Sequence, residues 1–213
     1  MTIALAGRNI EEVVERVASA LLSGDVVVLP TDTVYGLAAL PTDADATARL
    51  FELKGRQAQT PIAVLCADVE QAAALAGPGA AATLAALADR WWPGPLTVVA
   101  PRRAGVGFHL GGPATTIGLR VPHHDLVRAV ATRVGPIAAT SANRHGEPTP
   151  ETAPEVATAL GPGVPLIVDA GVLAASASTV VDVTSRPWRV LREGPISAGE
   201  ILELADALPP GDR

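Results

Sequence analysis

Short apolar runs alternate with amphipathic stretches along most of this chain, and the alternation limits the folds that it can adopt. The run from Val26 to Leu29, which Pro30 ends, is typical of a strand that is buried on both faces. The stretch before it places apolar residues at helical spacing from Ile10 to Leu21, and Asn9 with Glu12 forms a candidate capping box at its start. Strands that alternate with helices in this way indicate an α/β fold whose sheet carries helices on both faces.

The remaining segments extend the same pattern to residue 207. Helices are predicted from Ile10 until Gly24, from Thr42 or Asp43 to Gly55, in two pieces within 68–91 around Gly77-Pro78-Gly79, and over 123–134, 151–160 and 197–207. Strands are predicted at 26–29, 62–66, 96–100, 116–121, 137–140, 166–169, 178–183 and 188–192. Because three strands follow one another late in the chain, a twisted sheet of mixed parallel and antiparallel strands is favoured over a purely parallel one.

Composition and charge exclude several classes of protein. Of the 213 residues 48% are hydrophobic, which is too many for a disordered chain. Gly, Pro or charged residues interrupt every apolar stretch before it reaches the roughly twenty residues of a membrane span. The single cysteine, Cys66, excludes an intrachain disulfide, and the acidic residues from Glu11 onward do not fit a signal peptide. We therefore expect a soluble, cytoplasmic protein with no membrane partner, and the net charge of -6 argues against broad nucleic-acid binding.

Only one of the sixteen basic residues is a lysine, Lys54, and the other fifteen are arginines. An ammonium group is a compact point charge on a flexible stem, whereas a guanidinium is a planar fork. A functional requirement for a point charge would explain why position 54 is a lysine and not an arginine. Chance, together with the favourable effect of any cation at a helix C-terminus, explains it equally well, so the count alone leaves both interpretations open.

Polar side chains collect where predicted strands end. Thr31, Thr33 and Tyr35 follow the first predicted strand, and Ser141 with Asn143 follows a later one. Because open α/β sheets bind ligands beyond the carboxyl ends of their strands, these groups are candidates for a ligand site. Each segment is also compatible with an ordinary turn whose hydroxyl and amide groups bind the backbone.

Two cationic segments are candidates for binding an anion. Lys54-Gly55-Arg56 lies at a predicted helix end and pairs a point charge with a bidentate fork, which suits a polyanion such as a chain of phosphates. Strand alternation places Thr116, Gly118 and Arg120 on one face of their strand, where the glycine lets a ligand approach the backbone closely. A solvated helix cap and a surface-facing strand are the competing interpretations.

Several short motifs of known chemistry are missing from the sequence. There is no G-x-x-x-x-G-K-[ST], no G-x-G-x-x-G after a predicted strand, no H-E-x-x-H and no G-x-S-x-G. The four histidines, at positions 109, 123, 124 and 145, lack the i, i+4 spacing that places two ligands on one helix face. We therefore expect no zinc site and no other dedicated metal site in the protein.

Six segments occur in a fixed order along the chain. They are Pro30-Thr31-Asp32-Thr33-Val34-Tyr35-Gly36-Leu37, Lys54-Gly55-Arg56, Trp92-Pro93-Gly94-Pro95-Leu96-Thr97, Gly118-Leu119-Arg120-Val121-Pro122, Ser141-Ala142-Asn143 and Ser178-Thr179. In this order they resemble the YrdC/TsaC family of threonylcarbamoyl-AMP synthases, and the resemblance spans residues 24 to 193. It implies a YrdC-like fold with a concave, positively lined cavity, formed by one domain over 1–208 with a frayed tail at 209–213.

The resemblance also implies roles for individual residues of this chain. Around the nucleotide it places Lys54, Arg56, Thr60, Thr116, Ser141, Asn143, Thr149 and Arg192. Around threonine it places Thr31, Thr33, Tyr35, Arg120, Ala139 and Ser178. The implied catalytic residues are Lys54, Arg56 and Arg120, because these cations neutralise the reacting anions. Two positions depart from the family, since Asp32 stands where many members have Glu and Leu65 where many have His.

The family joins L-threonine, bicarbonate and ATP into threonylcarbamoyl-AMP with release of pyrophosphate. The product serves the N6-threonylcarbamoyladenosine modification at position 37 of tRNAs that read ANN codons. The resemblance thus implies Mg²⁺ with ATP as the cofactor, a downstream threonylcarbamoyl transferase complex as a partner and tRNA as a further candidate partner. The motifs match the short, single-domain form of the family. Two alternatives remain: an enzyme of the same fold that forms a carbamoyl-adenylate, and a module that binds double-stranded RNA or tRNA without catalysis.

Overall fold

The structure of the protein is a computed structural model that describes residues 1–55, 60–173 and 176–208. One sheet of ten strands and seven α-helices account for most of these residues. The strands are β1 (Thr2–Ala4), β2 (Val27–Pro30), β3 (Tyr35–Ala39), β4 (Ala63–Leu65), β5 (Leu96–Pro101), β6 (Thr116–Arg120), β7 (Ile137–Ser141), β8 (Leu166–Asp169), β9 (Thr179–Asp182) and β10 (Arg189–Arg192). The helices are α1 (Ile10–Leu22), α2 (Ala44–Lys54), α3 (Val69–Leu75), α4 (Ala81–Trp91), α5 (Asp125–Val134), α6 (Ala153–Leu160) and α7 (Ala198–Ala207). Among the described residues, no helix combines the length and the apolar character needed to cross a membrane.

The sheet mixes parallel and antiparallel neighbours in the order β1-β8-β2-β3-β7-β4-β6-β5-β9-β10. β2 and β3 form an antiparallel hairpin, and β7 pairs antiparallel with both β3 and β4. Parallel pairs join β8 to β1 and β2, β6 to β4, and β9 to β5. The predicted α/β fold with a mixed sheet is therefore confirmed.

The helices cover the two faces of the sheet unequally. Apolar residues of α2, α3, α4, α6 and α7 join one buried cluster with strand residues such as Leu37 and Val98. On the opposite face α1 and α5 pack against each other and over Val27, Leu29 and Ile137. These two helices leave the same face open over parts of β4, β6, β5 and β9, and that opening holds the cavity described below.

Local sequence signals set where the first two helices begin and end. Asn9 caps α1 by accepting the backbone N–H of Glu11, and within the described contacts Glu12 makes no reciprocal bond, so the predicted capping box is a single cap. Gly55 ends α2 in the left-handed conformation, with φ at 60°, which glycine adopts without strain. This helix end directs Lys54 toward β7.

Two strands are missing from the sequence prediction, and the three late strands, although predicted at the right residues, do not all lie next to one another in the sheet. β1 is only three residues long, too short to show an alternation, and it joins the sheet through β8. β3 lies in a segment for which the sequence indicated polar groups at a strand end or an ordinary turn, and residues 31–34 alone connect β2 to β3. The three late strands separate, since β8 lies between β1 and β2, whereas β9 and β10 pair at the other edge.

Candidate active site

A cavity of about 450 Å³ opens on the face of the sheet that α1 and α5 leave uncovered. Its floor includes small strand residues, Ala63, Gly118 and Ala139, and the connection between β5 and β6 adds Leu110 and Gly111. A Cβ at Gly118 would meet its nearest neighbours at 3.6 Å, an ordinary contact, so the glycine deepens the floor and relieves no clash. The cavity has the size of a site for a small organic ligand.

Arg120 forms one wall of the cavity and is held by three neighbours. Its Nη2 lies 2.6 Å from the Asp32 carboxylate, its Nη1 donates to the Thr33 hydroxyl at 2.9 Å, and its Nε donates to the Gly94 carbonyl at 3.0 Å. Burial lowers the pKa of Arg120, Asp32 raises it in part, and the charge of Arg192 lowers it further. Because a guanidinium remains protonated even so, the wall presents a fixed positive group.

The turn between β2 and β3 fixes Thr33 against this arginine. The Thr31 hydroxyl accepts the backbone N–H groups of Thr33 and Val34, both at 3.1 Å, and donates to the Val34 carbonyl at 2.7 Å. It also lies 3.0 Å from the Thr33 hydroxyl. A threonine that closes its own turn in this way restricts the loop, so Thr31 shapes the wall as well as lining it.

A second polar wall faces the cavity from β5 and the start of β9. The hydroxyls of Thr97 and Ser178 lie 2.8 Å apart. Arg192 donates from Nε to the Ser178 carbonyl at 2.9 Å and from Nη2 to the Ser178 hydroxyl at 3.2 Å. Burial lowers the pKa of Arg192. The cavity therefore has a guanidinium in each of two walls, each anchored by hydroxyl groups.

Lys54 is buried directly behind the cavity lining. Only 3% of the residue is exposed, and its Nζ donates to the Ser141 carbonyl and to Asn143 Oδ1, both at 2.7 Å. The Ser141 hydroxyl lies 3.3 Å from Nζ and donates to the same Asn143 oxygen at 2.6 Å. Ser141 lines the cavity, whereas Lys54 and Asn143 do not. The ammonium thus fixes the end of β7 from behind.

Most of the residues selected from the sequence meet at this cavity. Nine of them line it: Thr31, Thr33, Thr60, Thr116, Arg120, Ala139, Ser141, Ser178 and Arg192. Thr149 is half-buried and lies outside the lining. Arg56 falls outside the described residues. The predicted common face of Thr116, Gly118 and Arg120 is the cavity face of β6.

Tyr35 does not line the cavity, contrary to the prediction. Its hydroxyl donates to the Gly171 carbonyl at 2.6 Å, and the residue is completely buried in the cluster that contains Leu37. The alternation of the hairpin explains this placement, because Val34 and Gly36 line the cavity and the side chain between them points to the opposite face. Tyr35 ties β3 to the loop after β8.

Two residues to which sequence reasoning gives no role belong to the site. Asp32 is the carboxylate that pairs with Arg120, and its side chain is 12% exposed. Thr97 lines the cavity and is 5% exposed. The signal for Thr97 is its strand position, since it shares a face with Val99 and alternates with the buried Leu96. Only the long-range pairing of strands reveals its partner.

Other reactive groups contribute no chemistry to the cavity. In the described ranges no three His, Cys, Asp or Glu side chains gather where a metal could be held. Cys66 is completely buried, and burial raises the pKa of its thiol to about 12, so it is not an activated nucleophile. What the site offers is positive charge and hydroxyl groups, which bind and orient anions.

Comparison with known proteins gives a consistent result. The family model Sua5_yciO_yrdC, described as telomere recombination, matches residues 19–194. A threonylcarbamoyl-AMP synthase of Pyrococcus abyssi is 39% identical over 94% of this chain, which spans 60% of that protein's length. A threonylcarbamoyl-AMP synthase of Chromohalobacter salexigens is 35% identical over 82% of this chain and 96% of that protein.

Solved structures agree with these matches. P. abyssi Sua5 complexed with L-threonine superposes with a TM-score of 0.87 at 36% identity, over 96% of this chain and 60% of that one. E. coli YciO superposes with a TM-score of 0.81 at 23% identity, over 92% of this chain and 96% of that one, which shows a shared fold.

Proposed function

The chain belongs to the Sua5/YciO/YrdC family, and on that basis we propose that it is a threonylcarbamoyl-AMP synthase, which joins L-threonine, bicarbonate and ATP and releases pyrophosphate. One observation carries the proposal: Arg120 and Arg192 line a single cavity, and Lys54 lies directly behind its Ser141. The reaction brings a carboxylate toward a triphosphate. Convergent cations are what such a pair of anions requires.

The proposed reaction forms two bonds. Bicarbonate supplies CO₂ and hydroxide; the threonine amine bonds to the CO₂ carbon, and its proton passes to the hydroxide, giving water and an N-carboxylate. An oxygen of that carboxylate then bonds to the α-phosphorus of ATP, while the bond from this phosphorus to pyrophosphate breaks. No protein atom is attacked, so the hydroxyls of the cavity position the substrates and the cations neutralise their charge.

We assign Arg120 to the threonine carboxylate and Arg192 to the phosphates. An arginine has five N–H donors, and among the described contacts Arg120 commits three of them to Asp32, Thr33 and Gly94. The remaining two suit a carboxylate. Arg192 commits Nε and Nη2 to Ser178, which leaves its outer edge for a phosphate oxygen.

Lys54 has a supporting role in this proposal. Its ammonium organises Ser141 and Asn143 and adds positive potential where the nucleotide phosphates bind. This differs from the direct phosphate contact that the tripeptide Lys54-Gly55-Arg56 indicated. The assignment of Arg56 to the phosphates rests on the family resemblance, as does that of Thr149.

The proposal extends to the whole chain and its partners. Strands from β1 to β10 belong to one sheet, which supports a single domain over 1–208, while 209–213 lie outside the described residues. ATP is proposed to arrive with Mg²⁺ on its phosphates, because the described residues provide no ligand cluster of their own. The product would pass in the cytoplasm to a threonylcarbamoyl transferase complex that modifies tRNA.

Pyrophosphate release tests the function directly. The purified chain should release pyrophosphate from ATP only when both L-threonine and bicarbonate are present. Lys54→Ala and Arg120→Ala should each lower kcat/KM about 30- to 150-fold, which corresponds to about 2–3 kcal/mol of transition-state stabilisation.

The matched control is Arg133→Ala, which removes an exposed guanidinium of α5 that is paired with Glu15 of α1 and does not line the cavity. It should leave kcat/KM unchanged within about twofold. Turnover that needs carbamoyl phosphate in place of threonine, or salt-sensitive RNA binding without turnover, would contradict the proposal.

A further inference from the structure

Thr97 lines the cavity from β5 and has no role in the function proposed above. Its hydroxyl lies 2.8 Å from that of Ser178, and both residues are 5% exposed. Parallel pairing fixes this contact, because Leu96 lies opposite Thr179 and Thr97 opposite Val180. The pairing of the two strands therefore places the two side chains next to each other.

The hydrogen bonds of this pair leave one proton for a ligand. The Ser178 oxygen already accepts from the Arg192 guanidinium, so it has one lone pair and its own proton left. Of the two hydroxyl protons, one lies between Thr97 and Ser178. The other hydroxyl proton belongs to Ser178 or to Thr97, depending on which of them donates the shared bond. The described residues provide no acceptor for it.

The direction of the remaining proton determines what can bind there. A carboxylate only accepts hydrogen bonds, so a wall that offers O–H and N–H donors suits it. Arg192 supplies a charged donor to Ser178, which polarises the hydroxyl pair and strengthens its outward bond. Without the Thr97 hydroxyl, Ser178 loses a fixed partner, and its proton is no longer directed.

We propose that Thr97 is a positioning residue, which together with Arg192 orients the Ser178 hydroxyl so that the pair donates one hydrogen bond to the carboxylate of the amino-acid substrate. The inference rests on the proposed function for the identity of that substrate. Thr97 therefore affects the binding of the substrate L-threonine through Ser178, and it does not affect the binding of the ATP phosphates.

Thr97→Val tests the proposal, because it removes the hydroxyl and keeps the shape of the side chain. The KM for L-threonine in the pyrophosphate-release assay should rise about tenfold, which equals about 1.4 kcal/mol, while kcat and the KM for ATP stay within about twofold. Thr97→Ser should restore the threonine KM to within about twofold. The matched control, Thr158→Val, changes an exposed helix hydroxyl and should leave all constants unchanged.

A double-mutant cycle tests whether Thr97 acts through Ser178. In a Ser178→Ala background, Thr97→Val should raise the threonine KM by less than about twofold. The proposal is overturned if Thr97→Val leaves the KM for L-threonine unchanged, or raises the KM values for L-threonine and ATP equally. It is also overturned if Thr97→Ser is as impaired as Thr97→Val, or if Thr97→Val still raises the threonine KM tenfold in the Ser178→Ala background.

Calorimetric binding of L-threonine separates this proposal from the proposed function. If the wild-type protein binds L-threonine but releases no pyrophosphate, the proposed function fails, and a tenfold weaker Kd in Thr97→Val still supports the inference. If the wild type turns over and the Kd of Thr97→Val is unchanged, the inference alone fails. Thr97→Ala, which also removes the hydroxyl, should weaken the Kd by at least as much and replaces the valine variant should that variant fold poorly.

Discussion

The two halves of the sheet bury their strands in different ways. From β1 to β7 in the sheet order, helices cover both faces, and residues such as Val27 and Ile137 fill the space beneath α1 and α5. From β6 to β9 the cavity opens on one face, over which no helix of the described ranges lies, and the strands there carry Thr97 and Arg120. On the face that α1, α5 and the cavity share, apolar packing orders the first half, whereas hydrogen bonds and an ion pair order the second.

This contrast has a consequence for ligand binding. A polar side chain beside an open cavity would ordinarily sample several rotamers, and a ligand would bear the entropic cost of fixing it. Here Arg120 is held by Asp32 and Thr33, and Ser178 is held by Thr97. The open half is therefore preorganised for charge, as an active site requires.

The largest effect is expected where the open half depends on its ion pair. Arg120→Ala leaves the Asp32 carboxylate without its partner, so the free energy of unfolding should fall by about 4 kcal/mol. Urea denaturation measures the change. Adding Asp32→Asn to the same chain should recover most of the stability but none of the activity; a single variant as stable as the wild type would show that the pair does not order this wall.

A somewhat smaller effect is expected in the covered half. Leu21 is a residue of α1 and is completely buried, and Leu21→Ala should lower the free energy of unfolding by about 3 kcal/mol through lost burial and a cavity. Because this packing lies away from the cavity lining, kcat/KM below the melting transition should stay within about twofold. A large loss of kcat/KM in a Leu21→Ala variant that is fully folded would mean that packing in the covered half affects the geometry of the cavity.

The smallest effect concerns His124, which directly precedes α5. Its Nδ1 is buried and has no hydrogen-bond partner among the described residues. Burial lowers the pKa of His124; Asp32 and Asp125 act in the opposite direction, and Arg128 and His123 act with burial. The folded state therefore takes up this proton at a lower pH than the unfolded state does.

Stability should accordingly fall as the pH drops below about 6.5, the unfolded value for histidine, because the unfolded chain then binds more protons. Melting curves from pH 7 to pH 5 measure this, and His124→Asn should reduce the fall in Tm by roughly 2 °C, since the side chain is only half-buried. If Tm falls equally with pH in the wild type and in His124→Asn, His124 does not contribute to the pH dependence of stability.

Local periodicity was sufficient to predict much of the fold and part of the site. Period two places Thr116 and Arg120 on one face of β6, and both line the cavity. The same rule would have turned Tyr35 away from the cavity, but the segment after Pro30 was interpreted as polar groups at a strand end or a turn, and no strand was predicted there. The error was therefore one of element assignment, not of side-chain geometry.

The remaining contacts depend on strand order, which no local pattern contains. Thr97 and Ser178 are 81 residues apart in sequence and meet only because β5 pairs with β9. Lys54 and Ser141 are separated by 87 residues, and their contact depends on where α2 ends against β7. For this reason the sequence did not indicate that the Lys54 ammonium is buried against Ser141 and Asn143.

The burial of Lys54 also determines how the folded protein responds to chemical modification. It is the only lysine in the chain, and its ammonium lies beneath Ser141 with 3% of the residue exposed. Acylation or crosslinking of a lysine side chain, and attachment of ubiquitin to one, all need an accessible lysine amine. The native surface offers them none, so acylation of Lys54 would report that the chain has opened.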